Sequence, residues 1–199
     1  MSINLSAPLS LIRASRYANP QNASDILPEV YGDFSAGGYA GPIPTVLIDT
    51  ANGVYGAAAH AVNAIDQVWV DQTQKTIGVD CTVSVSNNYE AQGNIAIIDF
   101  PAVQNGVVTW RGKGKEISAA LAENCIDQLY DLLTVRGGFT ASDFRTSLLN
   151  VAIGKVNAQG YKTAWVVQDE RSAGEWTLEM LFNVLGNFRI SGQGTLEMW

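Results

Sequence analysis

The chain has 199 residues, of which 47% are hydrophobic and 16% are charged, and its formal net charge is −7 at pH 7. This length suits one large domain or two small ones, and the charged fraction lies below the usual share of about 25%. Nucleic-acid-binding proteins neutralise phosphates with clustered Lys and Arg, so an acidic chain with only twelve such residues does not fit that functional class.

Residues 1–112 consist of short apolar alternations separated by Gly, Pro and Asn, a pattern typical of β-structure. In the longest alternation, five apolar or thiol side chains fall on one face: Ile77, Val79, Cys81, Val83 and Val85. Strands at this spacing, with polar turns between them, favour a small barrel or sandwich. The predicted strands, in chain order, are Thr45–Asp49, Ile65–Asp71, Thr76–Ser86, Asn94–Phe100 and Gly106–Arg111.

After residue 112 the apolar period becomes helical. A first helix is predicted from Glu116 to Val135, ending at a Gly-Gly pair, and a second from an N-cap at Thr140 to Gly160. A strand at Tyr161–Gln168 follows. Ser172 and Glu175 then form a capping-box pattern that opens a third helix, which we expect Gly186 to close. A hairpin is predicted from Phe188–Ser191 and Thr195–Trp199.

Together these elements predict an α+β fold with a β-rich, barrel- or sandwich-like amino-terminal part. We expect two domains. Residues 1–112 form the β-rich domain, and residues 113–199 form a smaller α+β domain in the order helix, helix, strand, helix, hairpin. Trp199 ends a strand of buried type without a polar tail, which indicates that this second domain continues beyond the chain.

The sequence contains one histidine, His60, that could act as a general acid or base. Serines and aspartates are plentiful, so composition leaves a Ser–His60–Asp set open, but the sequence has no G-x-S-x-G nucleophile motif. A structural role for His60 is the better interpretation.

Paired carboxylates are the requirement for a lysozyme-like glycosidase. The candidate glutamates have no distinctive sequence context, and they are Glu29, Glu90, Glu116 and Glu123. Residues Asp49–Gly53 are similar to the start of a calcium loop, yet Ala51 occupies a ligand position and no glutamate follows at the required distance. We interpret this segment as a turn.

Cys81 and Cys125 are isolated in sequence, which predicts buried free thiols rather than a zinc site.

Arg111, Lys113 and Lys115 alternate with glycines, and a loop is a better interpretation of them than a phosphate cradle. Core packing or a subunit interface is likewise a better interpretation of the tryptophans than sugar stacking. Those tryptophans are Trp69, Trp110, Trp165, Trp176 and Trp199.

The sequence also predicts neither a signal peptide nor a membrane-spanning segment. No basic start followed by a long apolar run marks a signal peptide, and no run approaches eighteen apolar residues, so no membrane-spanning segment is predicted. The sequence therefore predicts no catalytic, cofactor-binding or metal-binding residue and no cofactor, as expected for a protein that is not an enzyme.

Two stretches of the chain resemble a known family. The first runs from Leu27-Pro28-Glu29-Val30-Tyr31-Gly32-Asp33 through a Gly-Gly pair and Gly41–Asp49 to Val68-Trp69-Val70-Asp71. It is similar to the amino-terminal part of tail hub or tail-tip proteins of long-tailed bacteriophages and related gene transfer particles. In these proteins a P-x-V-Y-G-D segment precedes β-strands and a V-x-V-D-G turn. Gln72 stands in place of the turn glycine.

The second stretch runs from Leu121 to Trp199 and resembles the hub segment in which a helical pair is followed by G-Y-K, a strand, a helix and a closing hairpin. The matching residues here are Gly160-Tyr161-Lys162, Thr163–Gln168, Glu175-Trp176 and Phe188–Met198.

This resemblance implies a structural virion protein, made in the host cytoplasm and assembled into the tail tip or baseplate. It implies a homotrimeric hub that closes the tail tube. The expected neighbours are the distal tail protein, the tape-measure protein and the receptor-binding or fibre proteins. The alternatives that the sequence leaves open are a tail-associated cell-wall hydrolase and a carbohydrate-binding adhesion module.

Overall fold

The computed structural model describes residues 3–13, 26–36, 40–89 and 93–199. Within these residues the chain has fourteen β-strands and three α-helices. The predicted α+β class with a β-rich part is therefore confirmed.

The chain forms two compact units. The β-rich unit comprises Leu11–Leu121 and Ala164–Asp169, and the helical unit comprises Met1–Ser10, Ala122–Thr163 and Glu170–Trp199. The predicted division at residue 112 differs from this grouping in three segments. Met1–Ser10 belong to the helical unit, residues 113–121 belong to the β-rich unit, and so does the short strand near residue 166. It pairs antiparallel with the strand Glu29–Tyr31, in the register Val30 opposite Val166.

The β-rich unit is built from antiparallel pairs. The strands are β1 (Glu29–Tyr31), β2 (Ile43–Pro44), β3 (Val46–Asp49), β4 (Val54–Ala58), β5 (Ala64–Val70), β6 (Thr73–Lys75), β7 (Thr82–Tyr89), β8 (Gly93–Asp99), β9 (Val108–Lys113), β10 (Glu116–Ile117), β11 (Ala120–Leu121) and β12 (Trp165–Val167). One four-stranded sheet has the order β2–β9–β5–β6 and the other has the order β3–β4–β8–β7, while β1–β12 and β10–β11 are two-stranded.

The two four-stranded sheets share one core. Trp110 of β9, Val68 of β5 and Ile98 of β8 are fully buried in it, and the Trp110 indole N–H donates to the Ala57 carbonyl at 3.0 Å. A second cluster, containing Leu27 and Ile95, covers the other face of the sheet with β8. Burial on both faces explains why β8 has an unbroken apolar run instead of an alternation.

The prediction for Thr76–Ser86 was wrong in its first half. β7 begins at Thr82, and the preceding residues form a turn in which Gly78 has φ +87°. The Asp80 carboxylate accepts the Thr76 backbone N–H at 2.8 Å, and Val79 is 78% exposed instead of sharing a buried face. The alternation was misleading because an Asp cap and a positive-φ glycine can close a turn inside an apolar pattern.

Two details of β5 and β9 were not predicted. Ile65 and Val68 are both buried because the register with β9 shifts between Ile65 and Gln67, as in a β-bulge. The segment around Arg111 and Lys113 belongs to β9 and is not a loop. A Cβ at Gly112 would lie 2.1 Å from the Ala64 carbonyl oxygen, so the glycine there permits close backbone approach.

The helical unit contains α1 (Cys125–Val135), α2 (Thr146–Gln159), α3 (Ala173–Phe182) and a hairpin of β13 (Phe188–Ile190) and β14 (Leu196–Met198). The capping box at the start of α3 is confirmed, as are the left-handed Gly160 after α2 and the closing hairpin. Thr140 and Asp143 also form a capping box, but it opens a 3₁₀ turn at Ala141–Asp143, ahead of α2.

The predicted helical start at Glu116 was wrong. Residues 116–121 form the β10–β11 hairpin, whose two central residues, Ser118 and Ala119, have φ +53° and +61°. Asn-Gly is the usual sequence for such a turn, whereas Ser-Ala-Ala has high helical propensity. α1 begins only at Cys125, where the Asn124 side chain accepts the Ile126 N–H.

Glu197 of β14 supports a test of the helical unit. Its carboxylate is 1% exposed and accepts from Arg145 and Arg189, each at 2.7 Å. The hydrogen bond from Arg145 and then that from Arg189 lower the pKa of Glu197 from its ordinary 4.5. A lowered folded pKa stabilises the fold fully above pH 4.5, and this contribution is lost as pH falls through the folded value.

We therefore expect Glu197→Gln to lower stability at pH 7 and to reduce the further loss between pH 5 and acid pH. Urea unfolding midpoints measured across this range would show it. Asp66→Asn, which removes one negative charge at an exposed position, is the control and should follow the wild-type pH profile. A Glu197→Gln profile parallel to wild type would contradict the assignment.

Candidate functional site

His60 lies two residues after β4 and is 8% exposed. Its Nε2 accepts a hydrogen bond from the Val30 backbone N–H at 2.9 Å, and its Nδ1 lies 2.8 Å from the Ala61 carbonyl oxygen. A backbone N–H can only donate and a carbonyl can only accept. The ring is therefore neutral in this geometry, with its proton on Nδ1.

The imidazole completes one edge of β1. On that edge the Val30 N–H donates to His60, while the Val30 carbonyl accepts the Lys115 N–H at 2.8 Å. On the other edge β1 pairs with β12. Buried backbone groups need partners, and the side chain of His60 substitutes for a neighbouring strand at this one donor.

A carboxylate lies beside the histidine. Glu29 is 0% exposed, and its Oε2 is 3.7 Å from His60 Nε2. Glu29 and Tyr31 alternate with Val30 along β1, and the Tyr31 and His60 ring centroids are 5.9 Å apart. The Lys115 ammonium lies 5.9 Å from the centre of the Tyr31 ring. These four residues, Glu29, Tyr31, His60 and Lys115, form what we call the β1 polar cluster.

The β1 polar cluster has the residue types of an acid–base site but the geometry of a structural one. The Glu29–His60 separation exceeds hydrogen-bond length, and the lone pair that a general base would use is engaged by Val30. Glu29 and His60 are also buried, whereas a glycosidase acid must reach a polysaccharide. The arrangement can hold β1 in place, and the structural interpretation of His60 fits it.

Two of the other predicted carboxylates have partners on other parts of the chain. Glu116 accepts from the Asn63 amide, and Glu123 pairs with the Lys162 ammonium at 2.9 Å. Glu90 lies outside the described residues. The Asp49 segment is a turn, because Asp49 Oδ1 accepts the Ala51 N–H at 2.8 Å. Hydrogen bonds from the Asn52 side chain and backbone lower the pKa of Asp49.

Both cysteines are buried free thiols. Burial raises the pKa of the Cys125 thiol to about 12, and burial followed by the Asp80 charge raises the pKa of Cys81. A raised pKa suppresses the thiolate that would act as a nucleophile.

Among the tryptophans, Trp110 and Trp176 are buried in the core, while Trp199 is 45% exposed.

Across residues 3–13, 26–36, 40–89 and 93–199, no group of three or more His, Cys, Asp or Glu side chains is placed to hold a metal ion. In the same part of the chain, every helix is too short or too polar to cross a membrane.

Comparison with known proteins found no match: no protein-family model, no curated protein and no solved structure matches the chain. The resemblance to tail hub proteins therefore stays a hypothesis.

The β1 polar cluster generates a stability prediction. His60→Ala removes the acceptor of a buried N–H, and we expect it to lower the free energy of unfolding by about 2–4 kcal/mol. His60→Gln is the matched control, because its amide oxygen can reach the position of Nε2 and accept from Val30. It should recover at least half of the loss. Denaturant unfolding followed by tryptophan fluorescence measures both, and equal losses in the two variants would contradict the role assigned to Nε2.

Proposed function

We propose that the chain is a non-enzymatic structural subunit of a phage tail tip or baseplate, of the hub class. In this role it closes the tail tube as a homotrimer and contacts the distal tail protein, the tape-measure protein and the receptor-binding or fibre proteins. The proposal starts from the two stretches that resemble hub proteins, which together span most of the chain.

The observation that carries the non-enzymatic part is the burial of Glu29, Tyr31 and His60 within the β1 polar cluster. The segment most similar to hub proteins, Leu27–Asp33, supplies Glu29 and Tyr31, both buried, and β1 itself. The residues of this segment are buried and form a paired strand, as expected of a motif that specifies a fold. The turn after β5 also forms without the family's glycine, because Asp71 adopts the positive φ (+52°), a conformation that Asp tolerates better than most residues.

The distribution of apolar surface favours an assembly subunit. Several large apolar side chains are exposed on both units, including Val79 (78%) on the β-rich unit and Phe182 (77%) on the helical unit. Charged residues are sparse. Subunits that bury surface against several neighbours have this character.

Particle composition tests the proposal. In purified particles of the phage or gene transfer agent that encodes the chain, we expect the protein in a small fixed copy number, located at the tail tip by gold-labelled antibody. Deletion of the gene should give particles without complete tails. A protein absent from purified particles, or a deletion that leaves tails intact, would contradict the proposal.

Peptidoglycan degradation separates the proposal from the hydrolase alternative. We expect purified protein to release no soluble fragments from peptidoglycan. Glu29→Gln serves as the control, and it should behave as wild type does. Fragment release by wild type that is lost in Glu29→Gln would assign an enzymatic role to the β1 polar cluster instead.

A further inference from the structure

Helix α3 has two apolar faces. The inner face buries Trp176, Met180 and Leu181 in the helical unit. The outer face, with the turn that follows it, presents Leu178 (60% exposed), Phe182 (77%) and Leu185 (89%). The spacing i, i+4 places Leu178 and Phe182 on one line of the helix, and Leu185 follows three residues later in the turn after α3. We call these three residues the α3 stripe. The folded chain gains nothing from this exposure, so the stripe indicates a contact surface.

Leu185 is unusual in backbone as well as in exposure. It has φ +54°, in the turn where the Gly186 N–H donates to the Leu181 carbonyl at 2.8 Å. The residue at this position of a helix stop is ordinarily glycine, because a side chain is strained there. A strained, almost fully exposed leucine is unfavourable for folding on both counts, and such residues are typical of functional surfaces.

Next to the stripe is a cavity of about 300 Å³. Ile126, Ala152 and Val156, all buried, line it together with Leu185 and Trp199. Lys155 also lines the cavity, and within the described part of the chain its ammonium has no recorded ion pair. We call this the Lys155 cavity. It combines an apolar interior with one positive charge.

We propose that the chain self-associates by placing the α3 stripe of one copy in the Lys155 cavity of a second copy. The chemistry of the two features is complementary. The stripe offers Phe182 and Leu178 to the apolar interior. Glu175, Glu179 and Arg171 line the shallow groove around them, and two carboxylates against one guanidinium leave a net negative charge to face Lys155. Leu185 borders both features, so one contiguous patch holds both halves of the contact.

When the stripe of one copy enters the cavity of the next, the contact is heterologous and can close as a ring, as the proposed homotrimer requires. The contact rests on the helical unit's own surface, and it does not depend on the particle in which the chain is proposed to work. The contact rests on the proposed function in one respect, because the homotrimer also requires self-association. A monomeric wild type would contradict both proposals. Association that is unchanged in the stripe and cavity variants would contradict this contact alone, and absence from purified particles would contradict the proposed function alone.

Charge reversal is the sharpest test. By sedimentation equilibrium of the full chain, wild type should show a mass that rises with concentration to a defined oligomer. Lys155→Glu and Glu179→Lys should each weaken association at least about ten-fold. An equimolar mixture of the two variants should associate more strongly than either alone, because the reversed cavity of one meets the reversed stripe of the other. Glu179 also contacts Arg171, but both side chains are exposed, so we expect the variant to fold.

Apolar substitutions give a second, independent measurement. Phe182→Ser should weaken association at least about ten-fold, whereas Val135→Ser, at a 48%-exposed valine at the end of α1, should not. Leu185→Gly should raise the melting temperature, because it removes both the strain and the exposed side chain, and yet weaken association.

Three outcomes would overturn the proposal: a wild type that is monomeric across the micromolar range, association unchanged in Phe182→Ser and Leu185→Gly, or charge-reversed variants that do not complement each other. Leu185→Gly keeps the test decisive even if Phe182→Ser fails to fold.

Discussion

The hydrogen bond from the Val30 N–H to His60 Nε2 is the contact on which the organisation of the β-rich unit depends. β1 is only three residues long and belongs to a two-stranded sheet, so it has little stability of its own. The histidine on one edge and β12 on the other hold it in place. Because β12 comes from residue 165 onwards, this one short strand determines that the chain returns to the β-rich unit after α2.

Signals that act over a few residues could be predicted from the sequence. The Ser172–Glu175 capping box, the Gly160 stop and the closing hairpin each depend on neighbours within about four positions, and each is present. The errors came at two turns with positive φ: one forms around Gly78 inside an apolar alternation, and the other forms without a glycine. The sequence Ser118-Ala119 does not predict a turn. The pairing of β10 with β11 stabilises the turn once it has formed.

The candidate site was harder to predict because its members are distant in sequence. Glu29 and His60 are thirty-one positions apart, and neither has a local context that points to the other. Their association follows from how β1 lies beside the end of β4, which is tertiary information. The α3 stripe, by contrast, had a readable signal. Once Trp176, Met180 and Leu181 are assigned to the inner face, Leu178, Phe182 and Leu185 remain as a second apolar line at helical spacing.

This chain buries several polar side chains and exposes several large apolar ones. Four groups that could carry chemistry, namely Glu29, His60, Cys81 and Cys125, are buried. A backbone N–H engages His60, and burial raises the pKa of both thiols. Large apolar side chains such as Phe182 and Leu185 are directed outward. A net charge of −7 adds a general repulsion between copies of such a surface. A subunit that works mainly through contacts, as proposed, would have this distribution of polar and apolar side chains.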